Sequence, residues 1–298
     1  MVVSGSSREM ASGGLSEAGE SGRDEAVHGG VTLVDAHVHL YKAFDLQVAL
    51  DAATRNFARE AVNRHGSDPF VGVLLLADPT GEGRFSELKA FSGSRDSAGV
   101  DPMAGWRLRA TTEDAALIAE RRDGNAIIVV IAGRQIATGE GLEVLALFTR
   151  RQFPDGMAFF NTVDLVMHAG AMAVVPWGFG KWLGRRGRLV RRMMIQAEPA
   201  DVFFADSGAR PVFCPRSPLL RDAERLGAGV MAGSDPFPFA WEVDRIGSYG
   251  ISFPGMLSLV EPIAGLRELF RDAMGTSRRY GTLQGPYRFL RNQVGIRI

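Results

Sequence analysis

Val31-Thr32-Leu33-Val34-Asp35-Ala36-His37-Val38-His39-Leu40 is the stretch that decides how this chain is read. It follows Gly29-Gly30, and its opening run to Ala36 is largely apolar. A short apolar run behind glycines reads as a buried strand. His37 and His39 stand two apart in that extended segment, so their imidazoles project from one face. Two neutral imidazoles side by side suit a divalent ion such as zinc, manganese or iron. Asp35 is read as pointing to the other face, where it orients the backbone or a group behind such a site.

The elements after this strand follow an α/β order. Residues Phe44 to His65 carry apolar side chains at helical spacing, with Gly66 as a C-cap. Phe70 to Ala77 is a second continuous apolar strand, ended by Asp78-Pro79-Thr80-Gly81. Strands apolar on both faces argue for a parallel sheet covered on each side. The middle differs: Trp106 to Ala110, Ala126 to Ile131 and Leu142 to Leu147 are short strands joined by Gly-containing turns, as in a meander or hairpins. Alternation resumes with a helix at Phe160 to Ala169, a strand at Met172 to Pro176 and a basic helix at Leu183 to Ala197. Val202 to Ala205 is a strand, and Pro211 to Cys214 a further strand candidate. Leu219 to Leu226 is a helix, and Gly229 to Gly233 the last core strand. The expected architecture is a distorted TIM-like barrel of seven or eight β/α units over residues 31–260, with a hairpin or meander insertion. A helical extension follows over 261–298. Residues 1–30, rich in Ser, Gly, Glu and Ala, read as a disordered leader.

Bulk properties narrow the function classes. The 298 residues carry 34 basic and 34 acidic side chains, so no global field favours nucleic acid or an anionic membrane. No apolar run reaches the roughly 18 to 20 residues that span a bilayer. Cys214 is the single cysteine, which excludes an intrachain disulfide and a cysteine-based zinc site and fits a reducing cytoplasm. The basic run from Lys181 to Arg192 reads as a solvated helix face.

In barrels of this kind, chemistry sits at the C-terminal ends of strands. Asp78, Asp206 and Asp235 each follow a predicted strand, and Pro176-Trp177-Gly178-Phe179-Gly180-Lys181-Trp182 follows another. An apolar wall with one cation suits a small anionic substrate, which makes Trp177 and Lys181 substrate-binding candidates. His168, before Gly170, has the helix-dipole role open to any C-terminal histidine.

Asp-Ala-His-Val-His near the start and Ala-Gly-Ser-Asp-Pro near the end resemble the first and last metal motifs of the PHP (polymerase and histidinol phosphatase) family. Gly133-Arg134-Gln135-Ile136 followed by Gly141-Leu142-Glu143 is similar to its middle ligand motif. Ala173-Val174-Val175-Pro176 is similar to its strand ending in His-Pro. The resemblance extends from about Val31 to Gly250. It implies phosphoester hydrolysis at a cluster of two or three metals.

The chain departs from that pattern. Pro79 stands where a His is usual, Gln135 where a Glu ligand is expected, and Val175 and Phe237 where His ligands are expected. With five histidines in all, the expectation is one divalent ion held by His37, His39, Asp235 and either Asp206 or Asp78. Asp235 would ligate or serve as general base, and the substrate would be a small molecule, phosphorylated if the resemblance carries. Two alternatives stand. An amidohydrolase-type enzyme would need His168 as a further ligand. A non-catalytic barrel that binds a partner would account for the lost ligands.

Overall fold

The computed structural model describes residues 29–66, 69–92, 103, 105–198 and 200–297. The leader reading for residues 1–30 therefore falls almost entirely outside the described residues. The expected barrel is not what the chain forms. Its strands make two separate mixed sheets, one of seven strands and one of five.

The elements in chain order are β1 (Val31–Val38), α1 (Leu46–His65), β2 (Phe70–Leu76), α2 (Arg84–Phe91), β3 (Trp106–Ala110), β4 (Ala116–Arg121), β5 (Ile127–Ile131), β6 (Gly133–Ala137) and β7 (Glu143–Leu147). Then come α3 (Phe159–His168), β8 (Met172–Pro176), α4 (Gly184–Gln196), β9 (Val202–Ser207), α5 (Pro218–Arg225), β10 (Val230–Gly233), β11 (Tyr249–Pro254), α6 (Pro262–Asp272), β12 (Arg278–Gly281) and α7 (Pro286–Gly295). The larger sheet runs β12-β11-β1-β2-β5-β4-β3 and the smaller β10-β9-β8-β7-β6.

The sheet stays open because a strand has only two hydrogen-bonding edges. β1 pairs antiparallel with β11 on one side and parallel with β2 on the other. β10 therefore has no edge of β1 left to close upon. β2 is likewise filled by β1 and β5, so β6 reaches it only through a single bridge between Asp78 and Arg134. β11 is the strand that occupies the closing position. In sequence it reads as part of the chain after the last core strand, yet it lies beside the first strand.

One apolar core joins the two sheets, with Leu33, Val73, Leu74 and Phe57 on one side and Leu145, Val174, Phe203 and Met231 of the smaller sheet on the other. A second, with Val144, Phe159, Val175 and Phe204, uses the alternate positions of the smaller sheet. Helix α1 begins where the Asp45 carboxylate accepts from the Val48 amide at 2.9 Å and stops at Gly66 in the left-handed region. The terminal segment is packed rather than appended, since Phe270 of α6 meets Phe253, Phe203 and Phe148. Pro211 to Cys214, a strand candidate in sequence, contributes one bridge to Gln284 and no extended pairing.

The seam between the sheets places the site. β10 abuts the end of β1, where the Asp235 amide donates to the His37 carbonyl at 2.9 Å. Asp35 fastens this seam. Its Oδ1 accepts from Ser234 N at 2.7 Å and its Oδ2 from Gly247 N at 2.8 Å. Strict alternation would point Asp35, His37 and His39 to one side. Pairing with β2 slips between Asp35 and Val38, and Asp35 turns to the backbone while the histidines do not. Burial pushes the Asp35 carboxyl up to about 6.

Candidate metal centre

His37 lies one residue before the end of β1, His39 just beyond it, and Asp235 two residues past β10, so the seam gathers all three. Their ligand atoms lie within 4.8 Å of one another. The two imidazole Nε2 atoms are 3.0 Å apart, and Asp235 Oδ1 is 3.7 Å from His37 Nε2 and 3.6 Å from His39 Nε2. Both rings are buried. Asp235 adopts φ 47°, a left-handed backbone unusual outside glycine, which turns its carboxylate over the histidines. Ser207 Oγ donates to Asp235 Oδ2 at 2.8 Å and fixes that orientation.

The donor set fits a cation. If both imidazoles carry their proton on Nδ1, two Nε2 lone pairs and a carboxylate oxygen converge on one point. If one Nε2 carries it, the rings bond each other, and in either case neither buried Nδ1 has a partner among the described residues. A divalent ion at the point of convergence satisfies the two Nε2 lone pairs and the carboxylate together.

Burial, reinforced by His37, holds the His39 imidazole down at about 3, so it is neutral and able to ligate. Burial works against the Asp235 charge, but His37, His39, Ser207 and Lys181 outweigh it and hold the carboxyl below its ordinary range.

A fourth group approaches from β6. Gln135 Oε1 is 3.2 Å from His37 Nε2, and Gln135 Nε2 donates to Glu143 Oε1 at 3.3 Å. The carboxylate of Glu143 thus dictates which end of the amide faces the histidines. Glu143 also pairs with Lys181. These residues, with His39, Tyr41, Trp177, Phe179, Phe237 and Phe289, surround a cavity of about 360 Å³. Tyr41 stacks on His39 at 5.1 Å between ring centroids.

The other expected ligands lie elsewhere. Asp206 is buried in a bidentate ion pair with Arg210, at 3.0 and 2.9 Å, and also accepts from Tyr249 OH at 2.9 Å. Its oxygens are committed to this network, which braces β9 behind Ser207. Asp78 Oδ2 accepts from the Phe85 amide at 3.3 Å, at the start of α2, and Arg134 stands 3.9 Å away. Neither joins the three-residue cluster.

Burial raises the Asp78 carboxyl against the pull of that amide and Arg134. Its charged form is therefore disfavoured in the fold, and wild-type stability declines as pH rises from the ordinary carboxylate range through the raised value. Asp78→Asn removes the titration and keeps an acceptor for Phe85. Chemical denaturation at pH 4 and pH 8 is expected to show the variant gaining on the wild type at the higher pH. A constant difference at both would contradict the assigned burial effect.

His168 is exposed at the end of α3, with Nδ1 2.7 Å from the Asp164 carbonyl oxygen, and takes no part in the cavity. The residues that sequence reasoning passed over are Ser207, Tyr41 and the α7 side chains. Glu143 stood in the quoted Gly141-Leu142-Glu143 motif but was not among the expected site residues. Ser207 and Phe289 carried none, because their place depends on which distant strands meet.

No protein-family model matches the chain, and no curated protein matches it. A solved structure that it resembles is PsfC from Pseudomonas syringae PB-5123, with a TM-score of 0.52 and 13% sequence identity over 89% of this chain and 97% of that one. At that identity the likeness is one of fold. Among the described residues, no helix is long and apolar enough to cross a membrane.

Proposed function

We propose that this chain is a metal-dependent hydrolase with a reduced, single-ion site, acting on a phosphoester or a chemically similar small molecule in the cytoplasm. The observation that carries the reading is the convergence of His37 Nε2, His39 Nε2 and Asp235 Oδ1 at the wall of one cavity. The resemblance of its two end motifs to those of the PHP family supports the phosphoester assignment, and the lone Cys214 the compartment.

His37, His39 and Asp235 would hold the ion, with Gln135 Oε1 beside them. A bound zinc, manganese or iron ion supplies Lewis-acid chemistry and lowers the pKa of water. The chain's own residues do the rest. Asp235, oriented by Ser207, offers a carboxylate able to take a proton at the site. Trp177 and Phe237 exclude water from one side of the cavity, and Lys181, with Glu143, sets the charge of the other. The amidohydrolase alternative loses its required ligand, since His168 faces solvent. The non-catalytic alternative keeps one observation in its favour: Lys181 is already paired with Glu143 and is not a free cation for substrate.

Elemental analysis of the purified protein is the test. About one equivalent of zinc, manganese or iron is expected, and its loss in a His37→Ala/His39→Ala variant. Hydrolysis of a generic aryl phosphate should require that metal and fall at least about 100-fold in the variant, as when one catalytic group is removed. Absence of metal from both proteins after incubation with excess ion would overturn the reading. Metal without hydrolysis would favour the non-catalytic alternative.

A further inference from the structure

A second polar hollow lies away from the metal cluster, between α1, the 3₁₀ turn Ala240–Arg245 and the start of α7. Its volume is about 300 Å³, and Arg55, Arg59, Arg245, Arg288, Asp244 and Ser248 line it. Arg55 and Arg59 are four apart on α1 and share a helix face, where like charges repel. Four guanidiniums around one hollow call for anions.

The carboxylates at hand are used by one of the four. Arg288 takes both oxygens of Asp244, at 2.9 and 3.0 Å, and lies 3.1 Å from the buried Glu242. None of the other three has a carboxylate within ion-pair distance among the described residues; Glu242, Asp244 and Asp35 act on Arg245 only from further off. Arg59 donates to the neutral Asn56 Oδ1 at 2.7 Å. Arg245 Nη2 donates to the carbonyls of Gly208 and Thr282, each at 2.9 Å. Arg55 makes no hydrogen bond or ion pair among the described residues.

Two buried donors in this wall are also unsatisfied. Arg245 is 5% exposed and its Nε has no partner, and Ser248 is 6% exposed and its Oγ has none. Buried polar atoms without partners are uncommon in folded proteins, and a bound group is one of their causes. Guanidiniums from two walls with a hydroxyl between them match the oxygens of a tetrahedral dianion.

We infer that this hollow is an anion-binding site for a phosphate group, free or carried as a phosphomonoester, separate from the metal centre. The exposed Arg55 and Arg59 draw the anion in, and Arg245 and Ser248 hold it.

Inorganic phosphate is the probe, titrated at constant ionic strength against sodium chloride with melting temperature as the readout. The wild type is expected to show a saturable rise of about 5 °C at phosphate well above its dissociation constant. Arg55→Ala/Arg59→Ala removes two exposed side chains and, with Arg59, the bond to Asn56 Oδ1, so it should still fold with a modestly lower melting temperature in chloride, yet lose the phosphate-dependent rise. The His37→Ala/His39→Ala variant should keep it, which separates this site from the metal centre. A rise no larger than in chloride, a rise that survives the arginine substitutions, or one lost only with the histidines would each overturn the assignment. Repeating the titration with a small phosphomonoester tells the sources apart, since tighter binding than phosphate identifies the carried group as the ligand.

Discussion

Gly233→Ala is expected to destabilise the protein by about 3 kcal/mol or more, through overpacking that has no side chain to yield. A methyl on Gly233 would overlap the backbone nitrogen, Cα and Cβ of His37. Relief requires β10 to move away from β1, which breaks the Asp235 amide bond to the His37 carbonyl and the Ser234 amide bond to Asp35. The same movement separates Asp235 from the histidines. Equilibrium denaturation should therefore show the loss of stability together with loss of bound metal. Wild-type stability would mean that the two sheets are not in such close contact at this point. Gly229→Ala is a useful contrast. Its nearest neighbours are the buried Phe203 ring and the end of Met274, side chains rather than backbone, so its effect should be smaller and leave metal content intact.

Asp206→Ala is expected to cost about 3–5 kcal/mol, because it leaves the Arg210 guanidinium buried without its carboxylate. The substitution also removes the acceptor of Tyr249 OH and of the Ser207 amide. Adding Arg210→Met should recover part of the loss, since a buried pair replaced on both sides costs less than a pair broken on one. The coupling energy of the double-mutant cycle is the measurement, and a value near zero would show that the pair is not formed. Asp206 also adjoins Ser207, which orients Asp235, so the single variant should weaken metal retention without removing a ligand. A direct ligand would instead abolish retention, which separates the bracing role from the role read in sequence.

Much of this was legible in the residues. The positions of β1, α1, β2, β8 and the helices after it follow from apolar period, with Gly66 as the cap that ends α1. The pairing of His37 with His39 follows from the two-residue repeat, and Asp235 from its Ser-Asp-Pro context. What did not follow was closure. Short apolar runs show which segments are strands but not which edges they share, and an unanticipated β11 turned an expected barrel into two sheets. β4 and β12 went unseen for a related reason. β4 alternates weakly, and the four residues of β12 expose three of their side chains. Asp206 and Asp78 show the limit for the site. An acid at a strand end faces either the cavity or its own neighbours. Arg134, which decides the matter for Asp78, lies far along the chain, while Arg210, four residues after Asp206, reaches it only because the turn after β9 folds back.

The placement of β11 also governs when the protein can fold. β1 is finished by residue 38, yet its second edge is covered by Tyr249–Pro254, and Thr32 bonds the Gly255 carbonyl across 223 positions of sequence. Contacts of such long range slow folding, because loop closure precedes any gain from the contact. A chain emerging from a ribosome makes β1 and β2 early, with one apolar strand edge open until Tyr249–Pro254 has been made. Open edges of that kind attract other chains. Recovery in active form should consequently depend on how long that edge waits, and slower synthesis of the segment between β2 and β11 should lower the yield.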